Sequence, residues 1–149
     1  MRAVIQRVSE AQVRVDGAVL GKIDQGYVVL LAVEKEDTDE DLAYLAKKID
    51  GLRVFEDEEG KMNLNLAAVK GEILLISQFT LYGDMRKGNR PSFSRSAAHK
   101  QAEEVYLAMK EKLETMGHKV ETGQFAAHMD VELVNSGPVT ILVDSRKEF

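Results

Sequence analysis

Apolar and polar residues alternate along AVIQRV (3–8) and again from Gln12 through Ile23, the period of two that a half-buried strand requires. Asp16-Gly17 interrupts the second run and supplies the two positive-φ positions of a tight hairpin turn, so the stretch reads as a strand and then a hairpin. GYVVLLAVE (26–34) is almost continuously apolar, as in a strand covered on both faces. From Thr38 the period changes. Leu42, Leu45, Ala46, Ile49 and Leu52 recur on one helical face, and TDED at 38–41 caps that helix. After RVF and an EDEEGK turn, EILLISQF (72–79) is a second buried strand, whose alternation puts Ser77 and Phe79 on one face and Gln78 with Leu74 and Ile76 on the other. Ser96 is expected to cap a second helix running to about Met116, with Ala102, Val105, Met109, Leu113 and Met116 inward and Gly117 as its stop. HKVETG, MDVELV and VTILV return to strand patterning, with the Gly137-Pro138 pair of NSGPVT breaking the last two apart. The element order predicts an α+β fold: a single domain over 1–149 with mostly antiparallel, barrel-like sheets and two main helices.

Composition narrows the function classes. A chain of 149 residues fits one domain and needs no covalent staple. The absence of cysteine excludes disulfides, thiolate zinc sites and cysteine nucleophiles. The N-terminus lacks the apolar core of a signal peptide and no apolar run reaches the length of a membrane span, so a cytoplasmic protein without membrane contact is expected. The formal charge of −5 argues against broad electrostatic binding to nucleic acid. Met85 to Arg95 runs against that trend, with Arg86, Lys87, Arg90 and Arg95 and no acid, and reads either as a solvated loop or as a local phosphate contact. The acidic run from Glu36 to Asp41 is a solvated helix start.

His99, His118 and His128 show no ligand spacing, and no nucleophile elbow, phosphate loop or dinucleotide fingerprint is present. What remains is the polar end of an apolar strand, Ser77-Gln78-Phe79-Thr80. Such groups either hydrogen-bond to neighbouring loops or line a cleft.

SQFTL (77–81), RPSFS (91–95), TGQFAAHM (122–129) and NSGPVT (135–140), with VIQRV (4–8) and GKMNLN (60–65), resemble the motifs of the D-aminoacyl-tRNA deacylases over essentially the whole chain. Gln124 and His128 stand where that family often has Arg and Asp, a departure that touches local contacts. The resemblance implies a homodimer that hydrolyses the ester joining a D-amino acid, or glycine mischarged on tRNA-Ala, to the 3′-terminal adenosine, as proofreading in translation. Gly137-Pro138 would be a cis dipeptide reaching into the partner's pocket, a backbone gate that collides with L side chains. Ser77, Gln78 and Phe79 match the positions that bind the aminoacyl end. Thr80 matches a proposed nucleophile, and the alternative is catalysis by the terminal ribose 2′-hydroxyl; no His, Lys or carboxylate adjoins Thr80 in sequence. Phe125 and Met129 resemble pocket-lining residues near the adenosine, and Arg7 the residue that buttresses the Gly-Pro loop. No cofactor or metal, no DNA and no membrane is implied; the expected partners are the aminoacyl-tRNA 3′ end and a second copy of the chain. A second reading is a non-catalytic module that holds the tRNA acceptor end, related to the editing domain of threonyl-tRNA synthetase. The isolated chain carrying both SQFTL and NSGPVT weighs against it.

Overall fold

The computed structural model describes residues 1–149. In chain order it holds β1 (Arg2–Val15), β2 (Ala18–Ile23), β3 (Gly26–Ala32), α1 (Asp39–Gly51), β4 (Phe55–Glu56), β5 (Met62–Leu64), β6 (Glu72–Ser77), a 3-10 turn (Phe79–Tyr82), α2 (His99–Thr115), β7 (Val120–Thr122) and β8 (Asp130–Asp144). The long β1 is the spine. One edge pairs antiparallel with β3 and then, further along, with β2, while the other edge pairs antiparallel with β8. The β1–β2 connection is the two-residue turn expected, with Asp16 at φ 48° and Gly17 at φ 80°.

β3, β6 and β7 are parallel neighbours, a feature absent from the sequence reading. Parallel strands need long crossovers, and these are the segments that carry α1 and α2. The mixed sheet curls until it nearly closes into a barrel. β2 lies so close to β7 that a Cβ on Gly21 would stand 2.7 Å from the Thr122 carbonyl oxygen, a contact only glycine permits.

Alternation sorts the strands onto two cores. Ile5, Tyr27, Val29, Leu31, Ile73 and Leu75 face the helices and meet Leu45, Ala46 and Ile49 of α1 and Tyr106, Met109 and Leu113 of α2. Val8, Val13, Ile23, Val28, Leu74 and Ile76 fill the opposite face, against partly buried Met129, Val131 and Leu133. α1 forms as its pattern predicts except at its end, where Leu52, the last residue of the expected face, lies just past the helix in extended backbone. The Asp41 carboxylate accepts from the Thr38 backbone N–H at 2.9 Å and from its hydroxyl at 3.0 Å, closing the cap.

Three expectations are corrected. α2 begins at His99 rather than at a Ser96 cap, because the Ser96 hydroxyl donates instead to the Phe79 carbonyl at 3.2 Å. Met116 is exposed beyond the last turn; the inward face runs through Tyr106, Met109 and Leu113, with the Tyr106 hydroxyl donating to the Leu75 carbonyl at 2.8 Å. MDVELV and VTILV are not two separately paired strands but the two halves of β8, each lying along β1. β1 advances from Gln6 to Val8 while β8 runs from Thr140 back to Asn135, so the residues between bulge out of the ladder. Pro138, which has no N–H to donate, sits in that bulge.

Charge fastens the C-terminal tail. Glu148 pairs with Arg95 at 2.7 Å and with Arg2, and the Arg95 hydrogen bond draws its carboxyl from the ordinary 4.5 down to about 2. A depressed carboxylate contributes its stability above the unfolded value and loses it as pH falls through the folded one. Amide protection at residues 145–148, taken relative to the intrinsic exchange rate at each pH, is therefore expected to fall between about pH 4.5 and 2 while that of the buried strand β3 is kept. Tail protection that is unchanged across this window would contradict the pairing.

Candidate active site

β6 delivers its polar end to the rim of a cavity. Ser77 is the last strand residue, and the Gln78 N–H still donates to the Leu31 carbonyl of β3 at 2.8 Å. The chain then turns into the 3-10 segment, closed by Leu81 N–H to the Gln78 carbonyl at 3.2 Å and Gly83 N–H to the Thr80 carbonyl at 2.9 Å. Strand alternation thus stops at Ser77, and Phe79 is presented by a turn rather than by the strand face expected for it.

The cavity has a volume of about 480 Å³ and mostly apolar walls. It brings together Ser77, Gln78, Phe79, Phe125 and Met129, five of the residues singled out in the sequence. Phe125 is held edge-on to His99, with ring centroids 5.1 Å apart, and lies 5.6 Å from the Tyr106 ring. Burial pushes the Tyr106 hydroxyl up to about 12, so it stays a neutral donor. Thr80 is exposed beside the cavity, and its hydroxyl oxygen accepts a short hydrogen bond from the Gln78 side-chain amide.

His99 and His128 also line this cavity, and sequence spacing gave no sign of it. They come together only because the first turn of α2 meets the loop between β7 and β8. His118 lies elsewhere, buried and paired with Asp50 at 2.7 Å. No group of three or more His, Asp or Glu is arranged to hold a metal ion.

Gly137 and Pro138 are not in this cavity. Their peptide bond is cis, and Gly137 borders a different, more polar cleft of about 400 Å³ together with Arg7 and Ser136. Arg7 is buried beneath the loop; its Nε donates to the Ser136 carbonyl at 2.9 Å and its Nη1 to the Val54 carbonyl at 2.5 Å. The Asn135 side chain braces the bulge from inside, accepting from the Val139 N–H at 3.0 Å and donating to the Thr140 hydroxyl at 3.1 Å. One chain therefore presents two separate constellations, an apolar cavity at the end of β6 and a braced backbone loop on β8.

The family model for D-Tyr-tRNA(Tyr) deacylase matches residues 4–144. The chain belongs to this deacylase family. It is accordingly a hydrolase. A D-aminoacyl-tRNA deacylase of Symbiobacterium thermophilum is 58% identical over 149 residues, covering 100% of this chain and 99% of that protein. The D-aminoacyl-tRNA deacylase of Thermotoga petrophila is 55% identical, with 100% of both chains covered. Among solved structures, the c-Myc DNA Unwinding Element Binding Protein superimposes with a TM-score of 0.92 at 41% identity, covering 97% of this chain and 98% of that one. A structure described as that of "a probable eukaryotic D-amino acid tRNA deacylase" has a TM-score of 0.82 at 16% identity, covering 95% and 97%, and shares the fold. No helix of this deacylase is long and apolar enough to cross a membrane.

Proposed function

We propose that this chain hydrolyses the ester of D-aminoacyl-tRNA, and of glycyl-tRNA, to free amino acid and tRNA, as a cytoplasmic homodimeric proofreading enzyme of one domain that needs no metal or cofactor. The observation that carries the reading is full-length identity of 58% to a protein named D-aminoacyl-tRNA deacylase, in a chain whose SQFTL segment rims a cavity. Ser77, Gln78 and Phe79 hold the aminoacyl end, with Phe125 and Met129 lining the wall toward the adenosine.

The dimer is favoured by β8. Its outer edge pairs with nothing in the chain, and Val134 and Leu142 on it are 50% and 61% exposed. A long open edge of this kind is a template for another chain. The bulge carrying Gly137 and Pro138 rises from the same strand and lies apart from its own chain's cavity, which supports a gate supplied in trans. Arg7 fixes the loop through two backbone carbonyls, leaving a wall of main chain against which an L side chain would collide.

An aminoacyl ester is already reactive, so orientation and oxyanion donors suffice without an activated side-chain nucleophile. The hydrogen bond at Thr80 favours this view. Its partner is an amide donor, which has no basicity with which to take the hydroxyl proton. The 2′-hydroxyl of the terminal ribose is the catalytic group in this scheme.

Deacylation of matched D-, L- and glycyl-tRNA is the test. D-aminoacyl ester is expected to be cleaved roughly a hundredfold faster than L, the ratio that a clash of about 3 kcal/mol produces. Equal hydrolysis of both, or none, would sink the proposal, and tight tRNA binding without turnover would revive the non-catalytic module.

A further inference from the structure

The loop from Asp84 to Ser92 stands out in a chain of net charge −5. Arg86, Lys87 and Arg90 are all exposed on it, and Asp84 is its one acid. The loop is built rather than slack. Asp84 N–H donates to the Ser92 carbonyl at 2.8 Å and Ser92 N–H to the Asp84 carbonyl at 2.9 Å, closing its neck. Asp84 also accepts from the Arg86 backbone N–H at 3.0 Å and pairs with the Arg86 guanidinium at 2.6 Å. Lys87 and Arg90 have no carboxylate partner. The fourth basic residue of the segment, Arg95, is committed inward to Glu34 and Glu148 and is not available to a ligand.

The base of this loop rests on the rim of the cavity. Phe93 packs edge-on to Phe79 with ring centroids 5.0 Å apart, and the Ser96 hydroxyl holds the Phe79 carbonyl. An anionic strand bound on the loop is thereby anchored next to the residue that rims the cavity. The chain as a whole repels a polyanion, so attraction has to be local to this site.

We propose that Arg86, Lys87 and Arg90 dock the backbone phosphates of the single-stranded acceptor end of tRNA and so feed its aminoacylated terminus into the cavity. This rests on the deacylase reading above. The dock supplies affinity and steering; it touches neither the ester nor the amino acid.

The test compares the protein with its R86Q/K87Q/R90Q variant on two substrates, D-aminoacyl-tRNA and D-aminoacyl-adenosine, which lacks the phosphates. For the tRNA, KM is expected to rise at least about tenfold at low salt with kcat unchanged. The slope of log KM against log salt is expected to fall by about 2, or roughly 0.7 per phosphate neutralised, so a fourfold rise in salt raises the wild-type KM roughly fifteenfold more than the variant's. D-aminoacyl-adenosine is expected to be cleaved equally by both. A KM and salt slope equal to wild type on tRNA would overturn the dock, and so would an equal loss on aminoacyl-adenosine. The K87Q/R90Q pair, which keeps Arg86 on Asp84, is expected to show an intermediate slope, and the K87Q/R90K pair, which restores one charge, a partial recovery. Filter binding of uncharged tRNA separates the two proposals. A wild type that cleaves no D-aminoacyl-tRNA yet binds tRNA with a slope lost in the variant refutes the deacylase reading and keeps the dock.

Discussion

Replacing the terminal adenosine of the substrate by its 2′-deoxy form is expected to slow hydrolysis by roughly 10² to 10⁴-fold, the usual worth of a positioned proton-transfer group. Thr80→Ala is expected to retain a rate within about tenfold of wild type, since what it removes is one hydrogen bond in a solvent-exposed turn. The asymmetry follows from the site's chemistry. A hydroxyl nucleophile needs a base within reach, and the one side chain bonded to the Thr80 hydroxyl is the Gln78 amide, which donates. Around it, the cavity offers aromatic rings, methyl groups, backbone and the imidazoles of His99 and His128, neither of which is hydrogen-bonded to the Thr80 hydroxyl. Single-turnover rates with ribose and deoxyribose substrates, at saturating enzyme, distinguish chemistry from binding. If Thr80→Ala abolishes the chemical step without weakening binding, while the deoxy substrate is cleaved normally, the assignment is reversed.

Gly137→Ala is expected to lower kcat/KM on D-aminoacyl-tRNA at least about tenfold and to erode discrimination against the L form. Gly137 has φ +128°, a region that L side chains rarely occupy, with strain of about 1–3 kcal/mol for those that do. Space is short as well. An added Cβ would stand 2.8 Å from Arg7 Nη2 and 2.9 Å from Val139 Cγ2. Arg7 is the far end of a long side chain, yet it cannot simply swing away, because its Nε and Nη1 are fastened to the Ser136 and Val54 carbonyls. The methyl group must therefore move the loop itself. A strain of that size also lowers Tm by roughly 3 to 10 °C in a domain of this length. Calorimetry together with D and L rates checks both effects, and wild-type values in all three would contradict this account of the loop.

Much of the fold was written locally. The α1 helix was legible because its cap, its acidic first turn and its apolar face all lie within one short segment. The β1–β2 hairpin was legible for the same reason, its turn being spelled by Asp16-Gly17. The parallel pairing of β6 with β3 and β7 was not, since a buried strand carries no mark of its neighbour's direction. Ser96 is a misleading cap for α2 because a serine near a helix has more than one possible partner, and its hydroxyl serves the Phe79 carbonyl. MDVELV and VTILV looked like separate strands because the bulge that joins them contains a glycine and a proline, the usual punctuation of a turn.

The candidate site divides in the same way. Ser77, Gln78, Phe79, Phe125 and Met129 are legible through the motifs that carry the family resemblance. His99 shows no ligand spacing in the sequence, and it enters the cavity through an edge contact with Phe125 that only the folded chain creates. The nearness of Arg7 to Gly137 is likewise a product of the antiparallel β1–β8 ladder.

The separation of the β8 loop from its own chain's cavity carries a consequence for how fidelity scales. On the proposed reading, stereochemical judgement is a shared property of two molecules, so it depends on protein concentration in a way that the binding of substrate to one chain does not. Dilution would then dissolve the judge before it emptied the dock, and a cell that lets the enzyme's abundance fall would lose accuracy before it lost affinity.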